Sequence, residues 1–80
     1  MATYFFDFRS GGSSSIDEDG LDLSDMVAAH RAAVGALADG IRDVVIEGSK
    51  DQQFAVEVRD EIGPVLHIRA VLESKLFRKQ

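Results

Sequence analysis

The chain has 80 residues, a formal net charge of −5 at pH 7 and no cysteine. A chain of this length forms one domain, residues 1–80, and buries only about 60% of the surface that its unfolded form exposes. Hydrophobic residues make up 45% of the chain and proline occurs once, so the composition excludes a disordered protein. Because small secreted domains usually need disulfides, we expect a reducing compartment and a cytoplasmic protein.

The charge is unevenly distributed along the chain. Residues 1–30 hold six acidic residues and one basic residue, whereas residues 31–80 hold eight of each. A nucleic-acid partner would require a basic face, so we expect none. Residues 1–7 lack the basic start of a signal peptide, and no run reaches the roughly 20 apolar residues of a membrane span. We therefore expect no membrane partner.

The first element is a strand at residues 1–9. Aromatic residues at alternate positions predict its core-facing side, namely Tyr4, Phe6 and Phe8. Phe5 is an additional aromatic residue on the opposite side. Residues 10–23 are predicted as a loop, in which the Gly/Ser-rich stretch 10–15 is flexible and residues 15–17 could form a short second strand.

Residues 24–47 are predicted as one long amphipathic helix. Ser24 is a good N-cap and Gly48 is suited to the C-terminal stop. At 100° per residue, the residues expected to contact the sheet fall on one arc: Met26, Val27, His30, Ala33, Val34, Leu37, Ala38, Ile41, Val44 and Val45. Gly35 and Gly40 each disfavour the helix by about 1 kcal/mol relative to alanine, so a bend near Gly40 could occur.

Residues 53–60 and 65–71 are predicted as a β-hairpin. Both segments alternate apolar and polar residues, and the turn between them should have a positive φ at Gly63. Residues 49–52 are a polar connection. The tail, residues 72–80, could form either a short helix or another extended edge. The chain is thus predicted to be an α+β domain of two layers, with an antiparallel sheet of three to four strands packed on one helix in the order β-β-α-β-β.

The chain resembles a family of short, uncharacterised bacterial proteins classed as a domain of unknown function. The resemblance extends from Tyr4 to about Val71 and is carried by an ordered set of motifs: Tyr4-Phe5-Phe6-Asp7, Asp17-Glu18, Gly20, Leu23, the helix alanines Ala28, Ala29, Ala32 and Ala33, Val56-Glu57-Val58-Arg59-Asp60-Glu61, and Gly63. It implies a small α+β domain in a bacterial cytoplasm, and it implies no activity, ligand or catalytic residue.

Few residues are candidates for chemistry. Asp17 and Asp19 are weak metal candidates, because the stretch from Ser15 to Gly20 partly matches a calcium loop whose required glutamate is replaced by Met26. His30 is predicted to be buried on the helix arc, either as a neutral core residue or as a pH-sensitive one. No nucleophile and base can be paired, so we expect no catalytic residue, no cofactor and no enzyme.

The strongest functional prediction is self-association. A single helix covers one face of the sheet, which leaves apolar residues elsewhere to form an interface: Phe5, Val65, Val71, Leu76 and Phe77. We expect a small interaction or structural module, a twofold homodimer formed through the second face or an edge of the sheet with the tail contributing. Three alternatives remain: a tail folded over Phe5 and Val65 in the monomer, an unidentified protein partner, or a ligand or divalent-cation sensor using residues 17–25.

Overall fold

The structure of the protein is a computed structural model that describes residues 1–48, 50 and 52–78. The predicted connection 49–52 and tail 72–80 therefore lie partly outside the described residues. In chain order, the elements are β1 (Ala2–Ser10), β2 (Ser13–Ser15), β3 (Leu21–Leu23), α1 (Met26–Ile46), β4 (Gln53–Arg59) and β5 (Pro64–Val71). The described residues thus confirm an α+β fold with a single helix.

The sheet is antiparallel throughout, and its strand order is β2-β1-β4-β5. The strand β3 pairs with the first residues of β1, on the same side as β2. The sheet therefore has five strands within the described residues, against three to four predicted. The additional strand is β3, because Leu21–Leu23 was predicted as loop.

The core lies between α1 and the strands β1 and β4. Alternate residues of β4 are almost fully buried, and small helix residues pack against them; the buried core residues are Tyr4, Ala29, Ala33, Phe54, Ala55, Val56 and Val58. The aromatic side chains of Phe6 and Phe8 are half-buried against this cluster. The predicted core side of β1 is therefore confirmed, and each fully buried large side chain stabilises the fold by about 1.5–3 kcal/mol.

The helix is continuous through Gly35, but the face that it buries differs from the predicted arc. Ala29 and Ala33 have no exposed surface, whereas His30 and Val34 are exposed. On a helical wheel with 100° between successive residues, the centre of the buried stripe is therefore rotated by roughly 80° from the centre of the predicted arc. Small alanine side chains let the helix backbone approach the sheet closely, so the bulkier valines lie on the flank. The prediction of a buried His30 is wrong for this reason.

The ends of α1 are fixed by Asp25 and Gly48. Asp25, rather than the predicted Ser24, is the N-cap, and its Oδ1 accepts a hydrogen bond from the Ala28 N–H at 2.9 Å. At the other end, Gly48 has φ 86° and its N–H donates to the Val45 carbonyl oxygen at 3.0 Å. Glycine adopts this left-handed conformation without strain, so the predicted stop is confirmed.

Two turns differ from their predicted forms. Ser10 pairs with Ser13, so residues 10–15 are not a flexible loop but a hairpin closed by Gly11 and Gly12. The second strand consequently lies at Ser13–Ser15 instead of 15–17. In the β4–β5 turn, Gly63 does not have a positive φ. Asp60 Oδ1 instead accepts the N–H groups of Ile62 and Gly63 at 2.8 and 3.0 Å, which forms the turn without a left-handed residue.

The two glycines inside α1 provide a test of the packing. A Cβ added at Gly40 would lie 2.6 Å from Phe8 Cζ, whereas one added at Gly35 would meet nothing within 4 Å. We expect Gly35→Ala to raise the free energy of unfolding by about 1 kcal/mol, through helix propensity alone. Gly40→Ala should lower it by about 1–2 kcal/mol, because the Phe8 ring must move. Urea denaturation measures both, and an equal gain for the two variants would contradict the close contact.

Candidate interaction surface

The second face of the sheet, opposite α1, is charged rather than apolar. Its successive cross-strand rows are Arg9, Ala55 and Arg69, then Asp7, Glu57 and His67. Glu57 lies 3.5 Å from Arg9 and 3.8 Å from His67. The prediction of a continuous apolar patch on this face is wrong, because charged side chains of β1, β4 and β5 interrupt it.

Phe5 lies on this face but is covered by Arg59. The Arg59 guanidinium carbon is 4.6 Å from the centre of the Phe5 ring, a cation–π contact. Arg59 Nε also donates to the buried Asp7 at 2.9 Å, and this hydrogen bond raises the pKa of Arg59. Val65 is half-buried and packs against the core cluster. These two predicted interface residues therefore make contacts within the monomer and are only partly accessible.

Asp17 ties the segment between β2 and β3 to the same cluster. Its carbonyl oxygen accepts from Arg59 Nη2 at 2.8 Å, and its N–H donates to Asp7 Oδ1 at 2.9 Å. Its carboxylate accepts the Phe6 N–H at 3.1 Å. Gly20 closes the segment with φ 75°, and a Cβ there would lie 2.8 Å from the Thr3 methyl group. We call Asp7, Asp17 and Arg59 the carboxylate–arginine cluster.

The environment of Asp17 explains its acidity and argues against a cation site. Burial opposes ionisation, but hydrogen bonds from the backbone of Phe6, Gly20 and Asp19, together with the charge of Arg59, hold the pKa of Asp17 below its ordinary value. Both carboxylate oxygens are therefore occupied by N–H donors. No group of three potential metal-binding side chains exists among the described residues. The geometry gives the sensor hypothesis no support.

The two histidines lie on different layers of the domain. His30 is on the exposed flank of α1, and His67 is on the second face of the sheet. They cannot share a site, since the sheet separates them. A pH-sensitive core histidine is also excluded, because neither His30 nor His67 is buried.

The strand β5 presents an open edge. Leu72 N–H donates to the Gln52 carbonyl oxygen at 2.8 Å. Leu72 and Gln52 therefore form a hydrogen-bonded pair. Because hydrogen-bonded and non-hydrogen-bonded pairs alternate along an antiparallel ladder, His67, Arg69 and Val71 belong to non-hydrogen-bonded pairs. Their N–H and C=O groups point away from β4. No described strand pairs with this side of β5.

Partly exposed apolar side chains lie beside this edge. Leu66 and Ile68 face the helix side of the sheet but are only half-buried, whereas the β4 residues next to them are buried. Apolar surface therefore remains accessible next to the open edge of β5.

The three remaining predicted interface residues lie at the end of β5 or beyond it. Val71 is 66% exposed, Leu76 is 89% exposed and Phe77 is 88% exposed. Residues 72–78, which we call the C-terminal arm, form neither a helix nor a strand. The Cα radius of gyration is 14.5 Å, compared with about 12 Å for a compact chain of this length. The arm therefore projects from the domain and does not cover Phe5 or Val65.

The depressed pKa of Asp17 predicts a pH dependence of stability. Ionised Asp17 stabilises the fold above its unfolded pKa of about 3.9, and this contribution is lost as the pH falls through the lower folded value. We expect Asp17→Asn to lower the urea midpoint at pH 7, and the difference from the wild type to shrink below about pH 4. The control Asp19→Asn, at an exposed neighbouring carboxylate, should change little. A deficit for Asp17→Asn that is independent of pH would contradict this account.

Comparison with known proteins identifies the family but no activity. A family model described as a domain of unknown function, DUF6894, matches residues 3–71. No curated protein and no solved structure matches the chain. No helix among the described residues is long and apolar enough to cross a membrane. The family match covers β1 through β5, including the whole carboxylate–arginine cluster, and the chain therefore belongs to the DUF6894 family.

Proposed function

We propose that this protein is a non-enzymatic interaction module of the bacterial cytoplasm that self-associates as a twofold homodimer through β5. The observation that supports this proposal most directly is the open β5 edge beside the half-buried apolar side chains of Leu66 and Ile68. An unpaired edge and an exposed apolar surface both favour association. A second copy of the chain can pair with the edge and cover the apolar surface at the same time, because a twofold axis places the same surface of each copy opposite the other.

The paired edges would form one continuous antiparallel sheet. The outward main-chain groups of His67, Arg69 and Val71 on each copy supply the hydrogen bonds. Half-buried Leu66 and Ile68 then lie inside the extended sheet instead of at a free border. Arg69 and Pro64 limit indiscriminate pairing, because charged and proline residues on an edge disfavour added strands.

A proline substitution distinguishes edge pairing from other modes of association. Arg69→Pro removes an N–H that the monomer does not use, so we expect the monomer to fold and the dimer dissociation constant to rise about tenfold or more. Arg69→Ala keeps the N–H and removes a positive charge, so it should leave pairing intact. Sedimentation equilibrium measures the constants, and circular dichroism verifies folding.

The matched control is Ser14→Pro. Ser14 pairs with Arg9 at a non-hydrogen-bonded position of β2, so its N–H also points to solvent, but at the opposite edge of the sheet. We expect Ser14→Pro to dimerise like the wild type. Equal dissociation constants for Arg69→Pro and Ser14→Pro would contradict pairing through β5, and a wild type that stays monomeric at high micromolar concentration would contradict self-association.

A further inference from the structure

We propose that the C-terminal arm of one copy docks into a depression at the β4–β5 turn of the second copy, an inference that rests on the proposed pairing through β5. The depression has a volume of about 280 Å³ and is lined by Met1, Ala2, Thr3, Asp60, Glu61 and Ile62. A cavity of roughly 150 Å³ is large enough to hold a benzene ring, so the Phe77 ring fits this space.

Exposed apolar side chains mark both the arm and the depression. Among the described residues, the four most exposed large hydrophobic side chains are Ile62 at 97%, Met1 at 93%, Leu76 at 89% and Phe77 at 88%. Two of them line the depression and two belong to the arm. Such extreme exposure is unfavourable for each group alone, and contact between the two groups removes both from water.

The charges of the two surfaces are complementary. The arm carries two basic residues, Lys75 and Arg78, against one acidic residue, Glu73, and the rim of the depression carries Asp60 and Glu61. Asp60 Oδ1 is occupied by the N–H groups of the turn, but Glu61 is exposed and makes no ion pair with any described residue. Glu61 is therefore free to pair with a basic side chain of the arm.

The arm cannot reach the depression of its own chain. The eight residues of β5 separate the arm from the β4–β5 turn by about 26 Å. The five Cα–Cα steps from Leu72 to Phe77 span at most about 18 Å when fully extended. Antiparallel pairing of two β5 strands instead places the end of one strand beside the start of the other, so each arm begins next to the partner's turn. The occupant is therefore a second copy of this chain.

The arm lies outside the region that defines the family. The family match ends at residue 71, which is the last residue of β5. The β5 edge lies within it.

A charge exchange tests the contact. We expect Glu61→Lys or Lys75→Glu alone to raise the dimer dissociation constant about threefold to tenfold, because each substitution places like charges together twice in a twofold dimer. The double variant Glu61→Lys/Lys75→Glu should return to within about twofold of the wild type. Phe77→Ser, which removes the side chain that fills the depression, should raise the constant about tenfold or more. Sedimentation equilibrium of the full chain measures all four.

The possible outcomes separate this inference from the proposed function. Arm docking is overturned if Arg69→Pro raises the dimer dissociation constant, Phe77→Ser does not, and the double variant shows no rescue. This result would leave the pairing of the β5 edges intact. A wild-type chain that remains monomeric overturns the pairing and arm docking together. Rescue by the double variant with a folded monomer throughout supports docking between copies.

Discussion

The ion pair between Asp7 and Arg59 is the contact on which the arrangement of this small domain depends. It joins the two central strands on the face that α1 leaves open, and both partners also bind the backbone of Asp17. An exposed ion pair contributes little to stability, but here one partner is buried and the hydrogen bonds join three segments, namely β1, β4 and the segment that leads to β3. Loss of either side chain would leave a charge without its partner and release the segment that leads to β3.

The same cluster explains why one face of the sheet needs no second helix. Arg59 covers the Phe5 ring, and the neighbouring rows alternate basic and acidic groups that interact with each other and with water. A thin domain can then concentrate its apolar residues on a single side. The open face is then hydrated through its charged groups, while α1 and the core strands pack on the other side.

Sequence periodicity predicts β1, β4, β5 and the extent of the helix, because period-two and helical patterns are local properties. It includes Ala33 but omits Ala29 as a contact, because pattern analysis weights bulk, whereas the distance between helix and sheet depends on how small the facing residues are. It assigns Phe5 to an interface because its cover, Arg59, is distant in sequence. The signal that could have located the cluster was the combination of Asp7, Asp17, Gly20 and Arg59 within the family motifs, although no local rule indicates that they meet.

The two borders of the sheet differ in a way that limits the size of any assembly. One border, on the side of β1 away from β4, consists of the short strands β2 and β3, which have three residues each. Between these two strands, the Phe6 N–H donates a hydrogen bond to the Asp17 carboxylate. Such a broken border is a poor template for an added strand, whereas β5 offers a long one. Sheet extension is therefore favoured at β5. Under the proposed pairing, an assembly built by this route closes at two subunits instead of elongating into a fibre.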